Sequence, residues 1–364
     1  MILLSKPLLT EKEINAVAKV LRSGNLAQGK LVEKFEQDFA DYIGTKYAVA
    51  TNSGTAALHT AMAALDLRRG DEVVTTPFSF VASANAILYC GGKPIFVDIN
   101  PDDYNLNPKL IEKKITKNTK AVLVVHLYGQ PANMGAISKI CKKHKLALIE
   151  DACQAHGAEY KNHKVGGIGH LGCFSFYPTK NITTGEGGIV TTNSKSFYNS
   201  MRIFRNHGQS ARYFQDTLGF NYRMSDIYAA IGIEQLKSLS KFNRARIKNA
   251  QYLTSKLSDI PGLILPAVFK ERIPVYHQFT IRITKEAKLN RDALAKILNK
   301  NEVGYGIYYP ITIPEQKHYK DLGYSNNYPI AQTASEEVIS IPVGPHVNKS
   351  DLDFIAGIIK EHLL

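Results

Sequence analysis

The sequence predicts an α/β protein: a large domain on a mostly parallel central sheet flanked by helices, followed by a smaller α+β C-terminal domain. Three observations carry this. Short apolar runs alternate with helix-patterned segments from about residue 10 to residue 190, and such alternation implies crossover connections and parallel pairing. The runs at 121–125 (AVLVV) and 146–149 (LALI) are apolar at every position, as strands buried on both faces are. After about residue 225 the alternation gives way to a long helical stretch and a segment rich in Pro and Tyr. The expected division is 1–240 for the large domain and 241–364 for the small one.

Helices are expected first at Glu11–Ser23, at Lys30–Ile43 and at 56–67, where Leu58, Met62 and Leu65 recur at helical spacing. Strands are expected at 72–76, 94–98, 121–126, 146–150, 173–177 and 189–192. Helices at 83–89, 108–115 and 134–145 connect several of them. The stretch 226–255 reads as one helix that carries the chain to the second unit. Beyond it lie a further element at 275–283, a helix at 290–301, the Pro- and Tyr-rich 304–319 and a terminal helix from Ser350. In a doubly wound sheet the ligand belongs at the carboxyl ends of the strands.

Composition excludes several classes. The four cysteines form no C-x-x-C pair, so neither a zinc cluster nor a disulfide framework is expected, and no metal set is assigned. No apolar run approaches the roughly 20 residues of a membrane span. The first residues lack the basic stretch and cleavage site of a signal peptide, so a reducing cytoplasm is expected. Net charge is +13, but the lysines are scattered and aromatics do not interleave with them. No nucleic-acid partner is expected, and a substrate bearing phosphates suits the charge.

Two glycine motifs mislead. Gly167-Ile-Gly169-His-Leu-Gly172 spells a dinucleotide fingerprint, yet it follows a polar segment and enters a strand rather than a helix. Gly24-Asn-Leu-Ala-Gln-Gly29-Lys30 nearly spells a P-loop, but no Ser or Thr follows the lysine and a helix precedes it. Both are read as ordinary loops.

Four features converge on one chemistry. Thr51-Asn-Ser-Gly-Thr55 runs into a helix whose first amides, near Gly54 and Thr55, suit a phosphate. Glu150-Asp151 ends a buried strand, where a carboxylate needs a positive partner such as a protonated ring nitrogen. Lys180 lies past a strand in a loop of small residues, where desolvation lowers an amine's pKa and permits a Schiff base. Phe80 follows another strand and could cover a flat ring. A phosphate cup, an aromatic lid, a carboxylate for a pyridinium and a lysine for an aldehyde together describe a site for pyridoxal phosphate.

The chain resembles the DegT/DnrJ/EryC1/StrS group of fold-type I pyridoxal-phosphate aminotransferases acting on nucleotide-linked keto sugars. The likeness runs from Leu4-Ser-Lys-Pro7 through Asn52-Ser-Gly-Thr-Ala-Ala-Leu58, Thr76-Pro-Phe-Ser-Phe80, Pro94-Ile-Phe-Val-Asp98 and His126-Leu-Tyr-Gly-Gln-Pro131. It continues through Glu150-Asp-Ala-Cys-Gln-Ala-His-Gly157, the Ser175-to-Gly188 lysine loop, Gly219-Phe-Asn-Tyr-Arg-Met-Ser-Asp226 and Tyr308-Tyr-Pro310. The resemblance implies that Lys180 holds the cofactor as a Schiff base and moves the proton. It implies Asp151 on the pyridinium nitrogen, Gln154 near the phenolic oxygen, Phe80 stacked on the ring, and Gly54, Thr55 and Ser175 on the phosphate. Asn221 would reach the phosphate of a second subunit's cofactor, making the active unit a homodimer. Arg223, Tyr308 and Tyr309 would face the sugar-nucleotide diphosphate, and the loop at 24–28 would border the substrate. Glutamate would be the amino donor. The alternatives on the same fold are a non-catalytic regulator and a sugar dehydratase; dehydratases of the group carry His at the lysine position, and this chain keeps Lys180.

Overall fold

The structure is a computed structural model describing residues 1–325 and 327–364. Seven strands form the central sheet, in the order Tyr47–Thr51, Gly188–Thr192, Leu171–Ser175, Ala147–Asp151, Thr119–Val125, Glu72–Thr75 and Lys93–Phe96. The last five pair in parallel; Gly188–Thr192 runs antiparallel to both of its neighbours. Two details depart from the sequence reading. The expected strand at 189–192 is the one that reverses direction, since only the loop 176–187 separates it from Leu171–Ser175 and no crossover helix intervenes. Tyr47–Thr51 was not anticipated, because it is short and leads at once into the polar loop before the next helix.

Both faces of the sheet are covered. Val122, Val124, Leu148 and Phe174 pack with Phe35 and Phe39 of helix Lys30–Ile43 on one face. Leu123, Ile149, Cys173 and Val190 pack with Leu58 and Met62 of helix Gly54–Ala63 on the other. Period-two alternation of this kind explains why the strands read as wholly apolar.

Helix Asp226–Leu257 belongs to two cores. Ala229, Ile233 and Leu239 join the first, whereas Ala250, Leu253 and Leu257 join a second with Phe279, Ile281, Ile339 and Ile355. The second core fills a three-stranded antiparallel sheet, Leu263–Ile264, Phe279–Ile283 and Val338–Ile341, backed by helices Arg291–Lys300 and Lys349–Leu363. The 240/241 division falls inside the shared helix. No helix among the described residues is long and apolar enough to cross a membrane.

Both glycine decoys have structural occupations. The amides of Gly166, Ile168 and Gly169 donate to the Glu150 carboxylate at 2.8, 2.8 and 2.6 Å. At the near-P-loop, Gly29 and Val32 donate from the start of helix Lys30–Ile43 to Asp226 Oδ1 at 2.9 and 3.1 Å. The positive end of that helix is thus satisfied by a carboxylate of the same chain.

Candidate active site

The acidic pair splits by strand alternation. Glu150 shares a face with Leu148 and turns to His126, whose Nε2 donates to it at 3.0 Å while Nδ1 accepts from the Ala132 amide. Asp151 shares the opposite face with Ile149, towards helix Gly54–Ala63. It is buried, with Oδ2 accepting from Ser83 Oγ at 2.6 Å and Oδ1 from the Cys153 amide at 3.2 Å. No cation of the described residues pairs with it.

One strand over, Ser175 lies on the same face, beneath the N-terminus of helix Gly54–Ala63. Ser53 caps this helix by accepting from the Ala56 amide at 3.1 Å. The amides of Gly54 and Thr55 precede any intrahelical partner and point free. A Cβ at Gly54 would stand 2.5 Å from Ser175 Cβ, so only glycine permits this approach.

These groups open into a cavity of about 760 Å³ at the carboxyl ends of the parallel strands. Gly54, Thr55, Ser175, Asp151 and Lys180 all line it, together with Phe80, which is 57% exposed. Tyr308 and Tyr309 close the cavity from the second half of the chain, with Tyr309 6.3 Å from the Phe80 ring. Gln154 is fixed from both sides: Oε1 accepts from the Tyr128 amide at 2.8 Å and Nε2 donates to Tyr309 Oη at 3.2 Å. Burial pushes the Lys180 ammonium below its ordinary range, against smaller raising effects from Cys153 and Asp151. It favours the neutral, nucleophilic amine.

Asn221 and Arg223 do not line this cavity. Asn221 is exposed and its segment is tied to the phosphate-side loop through Asn52, which donates to the Tyr222 carbonyl at 2.9 Å and to the Asn221 carbonyl at 3.2 Å. Arg223 donates to Asn206 Oδ1 at 2.6 Å and lines a separate 660 Å³ pocket with Gln28, Arg202 and Arg212. Residues 24–28 lie along a further groove beside Lys12 and Lys30. The sequence reading missed Ser83, one turn beyond Phe80, and His277 and Gln278, which precede strand Phe279–Ile283 and line the same cavity. For Ser83 the spacing was a usable signal; for His277 none existed, because only the tertiary fold brings residue 277 to residue 180.

The description DegT/DnrJ/EryC1/StrS aminotransferase family matches residues 7–360. The chain belongs to this family. It is 37% identical to a pleiotropic regulatory protein of Geobacillus stearothermophilus, over 94% of this chain and 92% of that one. It is 35% identical to dTDP-3-amino-3,4,6-trideoxy-alpha-D-glucose transaminase of Streptomyces venezuelae, over 95% and 90%. Among solved structures, S. venezuelae DesV in complex with a ketimine intermediate superposes with a TM-score of 0.92 at 34% identity, covering 98% of each chain. This aminotransferase family depends on pyridoxal phosphate, and the residues present fit that group. Free amides meet Ser175 where a phosphate needs donors, an unpaired buried carboxylate suits a pyridinium, and a desolvated amine suits an aldehyde.

Proposed function

We propose that this aminotransferase moves an amino group from glutamate to the keto carbon of a nucleotide-linked hexose, working as a cytoplasmic homodimer in the supply of amino sugars for polysaccharides. The observation that carries the proposal is that Lys180 and Asp151 line one cavity of about 760 Å³ together with Gly54 and Thr55, whose amides are free. Relatives named for nucleotide-sugar amination support the substrate class.

Pyridoxal phosphate, when bound, supplies a conjugated system that withdraws electrons from the carbon carrying the amine. Gly54, Thr55 and Ser175 would hold its phosphate, Asp151 its ring nitrogen, Gln154 its phenolic edge and Phe80 its face. Ser83 and the Cys153 amide keep Asp151 fixed for that contact. Lys180 Nζ would take the proton from the donor's α-carbon and return it, which requires the neutral amine that burial favours. Tyr308 and Tyr309 restrict water at the mouth and, with Arg223 of a second copy, would face the diphosphate; Asn221 of that copy would reach the cofactor phosphate. The exposed Tyr213, Phe214 and Leu218 near Asn221 support a partner surface there. A Lys180 in place argues for transamination over dehydration. Incubating the holoenzyme with glutamate and a panel of 3-keto and 4-keto nucleotide sugars tests the reading. Formation of an amino sugar with release of 2-oxoglutarate is expected, and no exchange with any of them despite bound cofactor would favour the regulatory alternative.

A further inference from the structure

Asn221 does not line the cavity of its own chain, and the main chain explains where its side chain goes. Residues 220–222 run extended beside 204–206: the Phe220 amide donates to the Phe204 carbonyl at 2.8 Å and the Tyr222 amide to the Arg205 carbonyl at 2.9 Å. Successive side chains of an extended segment point to opposite sides. Phe220 and Tyr222 take the inner side, stacked with centroids 5.1 Å apart, and both lie against His59 of helix Gly54–Ala63, at 5.1 and 5.8 Å. Asn221 between them takes the outer side, exposed, and its side-chain amide bonds to none of the described residues.

The carbonyls of this segment are held by the turn that opens the phosphate-side helix. The Asn52 amide donates to the Tyr222 carbonyl at 2.9 Å, and Asn52 Nδ2 donates to the Asn221 carbonyl at 3.2 Å. From the same helix His59, buried, shares a hydrogen bond with Tyr222 Oη at 3.1 Å. Burial pushes the His59 imidazole below its usual range and the Tyr222 phenol above its own, so the bond joins two neutral groups. The turn itself is tightly seated: a Cβ at Gly188 would stand 2.3 Å from the Ser53 carbonyl. Asn52 does not line the cavity. Its side-chain amide is directed to the segment carrying Asn221, not to the cup beside it.

We propose that Asn52 is a positioning residue for the cofactor of a second copy: it fixes the main chain at Asn221 and so aims that side chain at the phosphate site across the dimer. Its own cup is formed without it, by Ser53, which caps the helix, and by the free amides of Gly54 and Thr55. A side chain presented from a main chain held on both edges loses less freedom on meeting a phosphate than one on a loose loop. In a two-fold dimer the relation is reciprocal, so each cup depends on the Asn52 of the opposite chain. The proposal rests on the reading of Asn221 as a residue of the shared site.

Mixed dimers test it. Two differently tagged chains are co-expressed and isolated by tandem purification, with Lys180→Ala on one of them, so that the cofactor's absorption band reports the other chain's site alone. Asn52→Ala removes the side-chain bond to Asn221 and keeps the amide bond to Tyr222. Placed on the Lys180→Ala chain, it should weaken pyridoxal phosphate at the reporting site about fivefold or more. Placed on the reporting chain, it should leave the affinity within about twofold. The two dimers contain the same substitutions, so a general loss of stability would affect both alike. Equal weakening in both arrangements, or weakening only with Asn52→Ala on the reporting chain, would overturn the proposal. Asn221→Ala on the Lys180→Ala chain checks the underlying reading, with binding about tenfold weaker expected. If it weakens the cofactor and Asn52→Ala on that chain does not, the role of Asn52 alone fails; if Asn221→Ala has no effect, the shared site fails and the proposal with it.

Discussion

Ser83 Oγ donates to Asp151 Oδ2 at 2.6 Å, so the carboxylate proposed to meet the cofactor ring is held by the helix that follows Phe80. A hydrogen bond to a charged group contributes about 1.5–3 kcal/mol. Ser83→Ala should weaken pyridoxal phosphate by about tenfold or more in a fluorescence titration of the apoprotein, and Ser83→Thr should recover most of it. Equal affinity in Ser83→Ala and wild type would remove Ser83 from the site.

Gly54→Ala should damage both fold and site. Its Cβ would meet Ser175 Cβ at 2.5 Å, and overpacking of this kind costs about 1–3 kcal/mol. A lowered Tm with cofactor affinity lost is expected. Adding Ser175→Gly should restore part of the Tm without restoring affinity, since the relief of the clash also removes a phosphate donor.

Glu36 and Arg205 form a buried pair, and Glu36 Oε1 also accepts from the Ala50 amide at 2.8 Å. Removing one member leaves the other charge uncompensated, at about 3–5 kcal/mol. Arg205→Ala should be far less stable in urea than the surface variant Lys256→Ala. A difference below about 1 kcal/mol would contradict the pairing.

The pH dependence follows from Lys180. Its folded-state pKa is lowered from 10.5 by burial. Between that lowered value and 10.5 the unfolded chain binds the extra proton, so this group's contribution to apoprotein stability rises as pH rises through the window. The rate of cofactor loading should climb with the fraction of free amine and level off before pH 10.5. A rate still climbing at 10.5 would mark Lys180 as an ordinary solvated lysine.

Much of this was legible in the sequence, for reasons visible at particular residues. Asp151 ends a strand whose apolar run at 146–149 reads directly, Lys180 lies just past the strand-like 173–177, and Gly54-Thr55 opens a patterned helix, so local signals single out the residues proposed as cup, carboxylate and amine. The reversal of Gly188–Thr192 and the strand Tyr47–Thr51 were not, because strand direction depends on the connection and a five-residue strand carries little pattern. The resemblance names Asp151, but nothing local in the acidic pair separates it from Glu150; the pleat turns the two to opposite faces. The occupation of the near-P-loop by Asp226 was invisible for the same reason as His277: the partners are 197 residues apart.

The most direct test is borohydride reduction of the holoenzyme followed by peptide mass spectrometry. The reading expects the reduced pyridoxyl adduct on the peptide carrying Lys180, with the absorption band lost on reduction and absent from Lys180→Ala. An adduct confined to another lysine, or amine transfer by Lys180→Ala at the wild-type rate, would contradict it.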